Sequence, residues 1–306
     1  MPGSDPDRLI DRRRLKRRLA AWRVVAVLAL LAAGLLAVDP EGGFLGRPHV
    51  ARLWVTGFIS DDSDRDKAIR KLAEDDDVAA VVVRIDSPGG AVGGGEGLYR
   101  ALRSLAEKKP TVAVIDSLGT SAAYMAALGT ERIFVRDTSV TGSIGVLMQS
   151  ADVTALLERL GIKPETIKSA PLKGTPNPLE PLTPAAREAA ETVVRDLYDQ
   201  FVDMVAERRR IERPRVVELA DGRVFTGRQA KALGLVDESG GEASARAWLE
   251  RSKSVARKLR SVDIRPGESG SWVDAAVATF GKVLFSERLK VDAPVSVWHP
   301  GQYGND

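Results

Sequence analysis

Thr111-Val112-Ala113-Val114-Ile115-Asp116-Ser117-Leu118-Gly119-Thr120-Ser121-Ala122-Ala123-Tyr124-Met125-Ala126-Ala127-Leu128 decides how this chain is read. Its first five residues are a short β-branched run of the kind that forms a buried parallel strand. Ala122 to Leu128 is small and apolar and reads as a helix. Ser121 falls where strand gives way to helix. That position sets a side chain at the edge of a sheet and offers the next backbone N–H to an anion. A serine there is placed to attack a carbonyl. The competing reading is a plain helix N-cap, the commoner use of serine at such a junction.

Strand and helix alternate on both sides of this stretch. Val50 to Val55 reads as a first strand closed by Gly57, and Asp64 to Glu74 as an amphipathic helix with Ala68, Ile69 and Leu72 at helical spacing. Val78 to Ile85 is a second buried strand that runs into a turn at Asp86-Ser87-Pro88-Gly89-Gly90, and Leu98, Leu102 and Leu105 mark the helix after it. Downstream come a strand at Arg132 to Val135, a glycine-punctuated turn at Thr141-Gly142-Ser143-Ile144-Gly145-Val146, a short helix at 151–160 and a short strand at Glu165 to Lys168. Residues 170–181 are irregular, rich in Pro and Gly, and carry Lys173. Thr183-Pro184 starts a helix kept in period by Val194, Leu197, Phe201 and Val205. A helix at 227–233, a strand at 234–237 and a charged helix at about 241–259 complete the pattern. This alternation predicts an α/β fold. Trp272 to Phe285 reads as an amphipathic helix for a partner or a membrane surface.

Composition removes several chemistries. The 306 residues contain no cysteine, which excludes thiol catalysis, disulfides and cysteine metal sites. The two histidines, His49 and His299, lie near the ends of the patterned region, so a Ser-His-Asp triad is a poor fit and a histidine-rich metal site is excluded. Any general base is then Lys, Asp or Glu. The net charge of +3 comes from the first 23 residues, where eight basic and three acidic side chains leave +5 and the remainder of the chain at −2. A near-neutral body gives no reason to expect a nucleic-acid partner.

Val24 to Val38 is uncharged and apolar, and counting from Leu19 the segment 19–38 reaches the ~20 residues of a membrane helix, with Arg23 and Trp22 at the interface. Basic residues precede it and Asp39 and Glu41 follow, which predicts a cytoplasmic N-terminus and an extracytoplasmic body. An uncleaved anchor is preferred to a cleaved signal peptide because no convincing small-x-small site follows Leu36. The domain plan is a basic cytoplasmic tail at 1–18, an anchor at 19–38, a linker at 39–48, a catalytic body at 49–262 and a C-terminal extension at 263–306.

The glycines at 86–90 and 93–97 make neither a P-loop nor a proper G-x-G-x-x-G. Pro88-Gly89-Gly90 instead offers N–H groups unobstructed by side chains, which suits an oxyanion hole as well as an ordinary turn. A serine nucleophile without histidine can use a lysine that burial has made neutral. Lys173, in Ala170-Pro171-Leu172-Lys173-Gly174, and Lys168 are both candidates.

Five features in order resemble the signal peptide peptidase A family, Ser-Lys serine proteases related to the caseinolytic-protease and crotonase folds. They are Arg84 to Gly90, the Ser-x-x-Tyr of Ser121 to Tyr124, Thr141 to Val146, Ile167 to Lys173, and Gly222 to Gly227 with Ala230 and Gly234-Leu235-Val236-Asp237. The resemblance implies a repeated β-β-α superhelix behind one transmembrane helix, with Ser121 as nucleophile and Lys173 as general base. It implies oxyanion donors at Ala122 and at Gly89 or Gly90, a supporting Ser143, and no metal or cofactor. It implies remnant signal peptides as substrates, and a homo-oligomeric ring in which serine and lysine come from neighbouring copies. The chain departs from the family at Ala122 and Ala123, where glycine is usual and methyl groups would narrow the oxyanion site, and at Gly174, where an acidic residue is usual. Two rival readings share the fold: a crotonase-like acyl-CoA enzyme, opposed by the export anchor, and a catalytically dead peptide-binding scaffold, opposed by the retained Ser121 and Lys173.

Overall fold

In the computed structural model the described residues are 18–19, 21–29, 48–266 and the backbone of 295–297. Contacts divide the chain at Arg47/Pro48. In the first unit residues 18–19 and 21–29 are helical. No described helix is long and apolar enough to cross a membrane, and most of the second half of the expected 19–38 anchor lies outside the described residues. The expected amphipathic helix at Trp272 to Phe285 lies outside them too.

The second unit is built on a sheet. β1 (His49–Ile59), α1 (Ser63–Glu74), β2 (Val78–Ala91), α2 (Val92–Lys108), β3 (Thr111–Thr120) and α3 (Ala122–Ala127) follow one another in strand–helix alternation. β4 (Arg132–Val135), β5 (Val140–Gly142), α4 (Thr154–Arg159), α5 (Pro184–Arg209), α6 (Arg213–Leu219), β6 (Val224–Thr226) and α7 (Gly227–Ala232) come next. β7 (Glu238–Ser239), α8 (Glu242–Lys253), β8 (Ser261–Ile264) and β9 (Val295–Val297) complete the described elements. The main path runs β6-β5-β3-β2-β1-β8, with β4 on β3, β7 on β4 and β9 on β2. β1, β2, β3, β4, β5, β7 and β8 pair in parallel, whereas β5–β6 and β2–β9 are antiparallel.

The β-branched strands are covered on both faces, which is why they read as unbroken apolar runs. Val81, Val83 and Ile85 of β2 enter the cluster that holds Leu98 and Leu102 of α2 and Phe201 and Val205 of α5. Ala80 and Val82, alternating with them, pack with Val112, Val114 and Phe134 against Ala245 and Leu249 of α8. α5 begins as its sequence predicts: Thr183 caps it by accepting from the Ala186 N–H, and Pro184 occupies the first turn. Its far end is clamped by Arg209, whose guanidinium donates to both carboxylate oxygens of Asp237 at 3.0 Å. Asp237 also accepts from the Ile133 N–H, and the Leu235 carbonyl accepts from the buried Tyr124 hydroxyl at 2.7 Å. Gly234-Leu235-Val236-Asp237 is thus a clasp joining α5, β4 and α3.

Several boundaries differ from expectation. β2 does not stop at Ile85 but continues through Pro88-Gly89-Gly90, because β1 and β9 flank it there. Glu165 to Lys168 is not a strand; no described strand pairs with it, and Ile167 is 95 % exposed. The helix expected at 151–160 is confined to Thr154–Arg159. The strand expected at 234–237 begins at Glu238, once the clasp has closed.

Candidate active site

Ser121 occupies the single residue between β3 and α3, with φ 58° and ψ −123°. These angles belong to the first central residue of a type II′ turn, where glycine is at home and a side chain is strained. The conformation is held from both sides. The Ser121 N–H donates to the Gly142 carbonyl at 2.8 Å, and its own carbonyl accepts from the Met125 N–H at 2.9 Å. A strained serine at a sharp strand-to-helix turn is the geometry that presents a nucleophile, and it is more than an N-cap requires.

Ser121 is only 1 % exposed, yet it lines a cavity of about 800 Å³. Ser143 and Gly145 line the same cavity, so the two sequence motifs meet. Ser143 also has a positive φ, 51°, and its N–H donates to the Arg223 carbonyl at 2.8 Å. Gly142 must be glycine: its φ is 85°, and a Cβ would lie 2.6 Å from the Phe225 ring. Asp221, on the rim, grips Arg223, and that guanidinium pulls the Asp221 carboxyl down to about 2. This pair steadies the turn whose carbonyl supports Ser143.

A further part of the lining comes from α5: Glu191, Val194, Arg195, Tyr198 and Asp199. These positions have i, i+3, i+4, i+7 and i+8 spacing and form a face different from the one that packs Phe201 and Val205. Of these five residues, sequence reading picked out Val194 alone, as part of the helical period it shares with Leu197, Phe201 and Val205. Burial raises the Tyr198 hydroxyl above its ordinary value, and the neighbouring Asp199 carboxylate adds to the rise.

The glycines of β2 lie beside this turn. Ser87 pairs with Gly119, and the Thr120 hydroxyl donates to the Pro88 carbonyl at 3.0 Å. Gly89 has φ 108°, and its N–H donates to Ser87 Oγ at 3.1 Å. Gly90 packs so tightly that any Cβ would collide with the Ile59 carbonyl oxygen. Ala122 and Ala123 are fully buried and do not line the cavity. A Cβ built on Gly95 would come 2.8 Å from the Ala122 methyl, so this methyl is lodged against α2, in the room that Gly95 leaves.

The lysines divide. Lys168 donates to Glu180 at 2.5 Å with its side chain 15 % exposed, and that bond holds the Glu180 carboxyl below the usual carboxylate range. Lys173 is exposed, has no side-chain partner among the described residues, and is not among the residues that line the Ser121 cavity. The burial that a lysine base needs is not supplied by the described residues of its own chain. The segment around it exposes Leu156, Leu160, Ile162, Ile167, Leu172 and Leu179, more apolar surface than a stretch facing only water is expected to carry. Among the described residues no cluster of His, Asp and Glu could hold a metal ion.

Comparison with known proteins gives the same direction. The model of peptidase family S49 matches residues 103–256. A candidate protease of Synechocystis sp. is 38 % identical over 270 residues, covering 79 % of this chain and 97 % of the relative. The chloroplastic serine protease SPPA of Arabidopsis thaliana is 33 % identical over 66 % of this chain and 30 % of its own length. Protease 4 of Haemophilus influenzae is 27 % identical over 62 % of this chain and 32 % of its own length.

Proposed function

The chain belongs to peptidase family S49, the signal peptide peptidase A family, and from that membership we propose that it is a serine endopeptidase using Ser121 and Lys173. The observation that carries this reading is the strained Ser121 backbone at the wall of a cavity large enough for a peptide side chain. Ser121 Oγ attacks a peptide carbonyl. The Ala122 N–H and one N–H from Gly90 or Gly89 receive the oxyanion; Gly89 must then give up its contact with Ser87. A neutral Lys173 amine takes the serine proton and passes it to the leaving amine, and water then releases the acyl group. Ser143, which lines the same cavity, orients that amine.

Lys173 reaches Ser121 from a neighbouring copy. Its exposure, its lack of a side-chain partner among the described residues and the apolar surface around it support this arrangement, because a second copy would bury both the arm and the amine. The copies form a ring whose sheet is the core of a β-β-α superhelix. Residues 19–38 anchor each copy with the body on the extracytoplasmic side. Val146, Leu147 and Val194 give the cavity an apolar lining suited to remnant signal peptides. The mechanism uses no metal and no cofactor.

Mixing two inactive full-length variants tests this. Ser121→Ala and Lys173→Ala copies, dissociated and reassembled together at equal amounts, regain roughly a quarter of wild-type hydrolysis if each site draws on two copies of a closed ring. No recovery from mixtures shown to contain both copies refutes the shared dyad.

A further inference from the structure

α3 has six residues, far short of the ~12–15 at which a helix holds together alone, so its place depends on what grips it. At its front it carries the two groups that the proposed reaction uses, Ser121 and the Ala122 N–H. Along its side it is pressed onto α2. A Cβ on Gly95 would come 2.8 Å from the Ala122 methyl, and a Cβ on Gly129, just past the rear end, would come 2.7 Å from the Tyr99 carbonyl oxygen. The Tyr124 hydroxyl ties its middle to the Leu235 carbonyl. The rear end is held from α5. Arg208 donates from Nε to the Leu128 carbonyl at 2.8 Å and from Nη2 to the Thr130 carbonyl at 3.1 Å.

A cation is costly to keep in that place. Arg208 is half-buried, and burial together with the neighbouring Arg103 pulls its guanidinium below the ordinary arginine value. Among the described residues no carboxylate forms an ion pair with it, and its hydrogen bonds go to the two carbonyls. Those carbonyls are of the kind that a helix leaves unpaired at its end. The adjacent Arg209 serves a different purpose, gripping the Gly234 carbonyl and Asp237. The hold on the rear passes forward through the helix ladder: the Leu128 N–H donates to the Tyr124 carbonyl at 3.1 Å, and the Met125 N–H to the Ser121 carbonyl at 2.9 Å. Six residues of helix put the front only about 9 Å from this pin.

We propose that Arg208 is a positioning residue for the oxyanion: by holding the rear carbonyls of α3 it fixes the Ala122 N–H at the front and keeps Ser121 in its strained turn. The catalytic consequence rests on the roles proposed for Ser121 and Ala122; the grip on α3 does not. A turn with φ 58° relaxes once the helix behind it can slide. A donor that has slid is still in the chain but no longer meets the oxyanion squarely. The loss therefore falls on the transition state and spares peptide binding.

The test compares four full-length chains. Beside wild type stand Arg208→Gln, which drops the charge and the fork, and Arg208→Lys, which keeps the charge without the planar fork. The fourth is Asp62→Ala, which removes the cap of α1 and so lowers stability away from α3. Hydrolysis of a quenched leucine/alanine-rich peptide gives kcat and KM. The Kd of a peptide aldehyde, whose carbonyl adds to a serine hydroxyl, is set against that of the matching alcohol, which cannot add. Arg208→Gln should lower kcat by about tenfold or more with KM within about twofold, and weaken the aldehyde by the same factor while sparing the alcohol. Arg208→Lys should lose less, and Asp62→Ala should lose none of it at a comparable fall in Tm. Amide exchange across residues 122–128 needs no turnover, and it should quicken in Arg208→Gln but not in Asp62→Ala. Unchanged exchange overturns the inference, as does a kcat no lower than that of Asp62→Ala or an equal weakening of aldehyde and alcohol. Should Arg208→Gln not fold, the same criteria are read on Arg208→Lys. Quickened exchange in a chain whose wild type neither hydrolyses the peptide nor prefers the aldehyde supports the grip on α3 and counts against Ser121 as nucleophile.

Discussion

Replacing Ser121 by glycine and by alanine separates the backbone of its turn from its chemistry. Both changes remove the hydroxyl, so both should abolish hydrolysis. Their stabilities should differ. Alanine keeps a Cβ at φ 58°, ψ −123°, and so keeps strain of about 1–3 kcal/mol. Glycine relieves it but returns roughly 0.5–1 kcal/mol through the greater freedom of its unfolded chain. The balance favours glycine by about 1 kcal/mol, which in a domain of this size moves Tm by roughly 2–4 °C. Calorimetry or thermal circular dichroism on the two variants, with equal oligomeric state verified, reads the difference. An alanine variant as stable as the glycine variant, or more so, would refute the claim that the fold holds Ser121 in a strained conformation.

Gly95→Ala should lower kcat at least tenfold while leaving the fold intact, because its methyl would press on Ala122 and shift the N–H offered to the oxyanion; steady-state kinetics with a melting curve checks this. Gly90→Ala should cost about 3 kcal/mol or more, since the new methyl meets the unyielding Ile59 carbonyl, and denaturant unfolding measures it. Asp237→Asn should lose about 2 kcal/mol by removing the charge that faces Arg209 while keeping an acceptor for the Ile133 N–H, again read by denaturant unfolding. The Lys168–Glu180 bond lowers the folded Glu180 value, so its hold on the arm is full above the unfolded value near about 4.3 and fades as pH falls through the lowered one. Proteolytic nicking of residues 165–182 by an acid-active protease should therefore rise only below about pH 4, and Lys168→Ala should erase that step.

The central strands were legible because burial on both faces leaves unbroken β-branched runs, and Thr183-Pro184 announced α5 through a cap whose chemistry is local. The meeting of Ser121 with Ser143 was foreshadowed by two motifs, each of which needs a backbone angle that only a few residues tolerate. What escaped was non-local. Pro88-Gly89-Gly90 reads as a turn by composition, and only flanking strands on both edges keep it extended. Glu165 to Lys168 has a strand-like composition but pairs with no described strand. Ser261-Val262-Asp263-Ile264 is a strand only because β1 offers an edge, with Arg52 and Trp54 reaching Asp263. The cavity face of α5 has helical spacing, but nothing in the sequence says what it faces.

The most direct measurement follows cleavage of a quenched leucine/alanine-rich peptide by the full chain against pH, for wild type, Ser121→Ala, Lys173→Ala and Lys168→Ala. The account predicts that the first two variants lose cleavage and labelling by a serine-reactive probe at every pH, and that Lys168→Ala keeps both. A wild-type oligomer that neither cleaves nor takes the probe, or a Lys173→Ala variant as active as wild type, would contradict it.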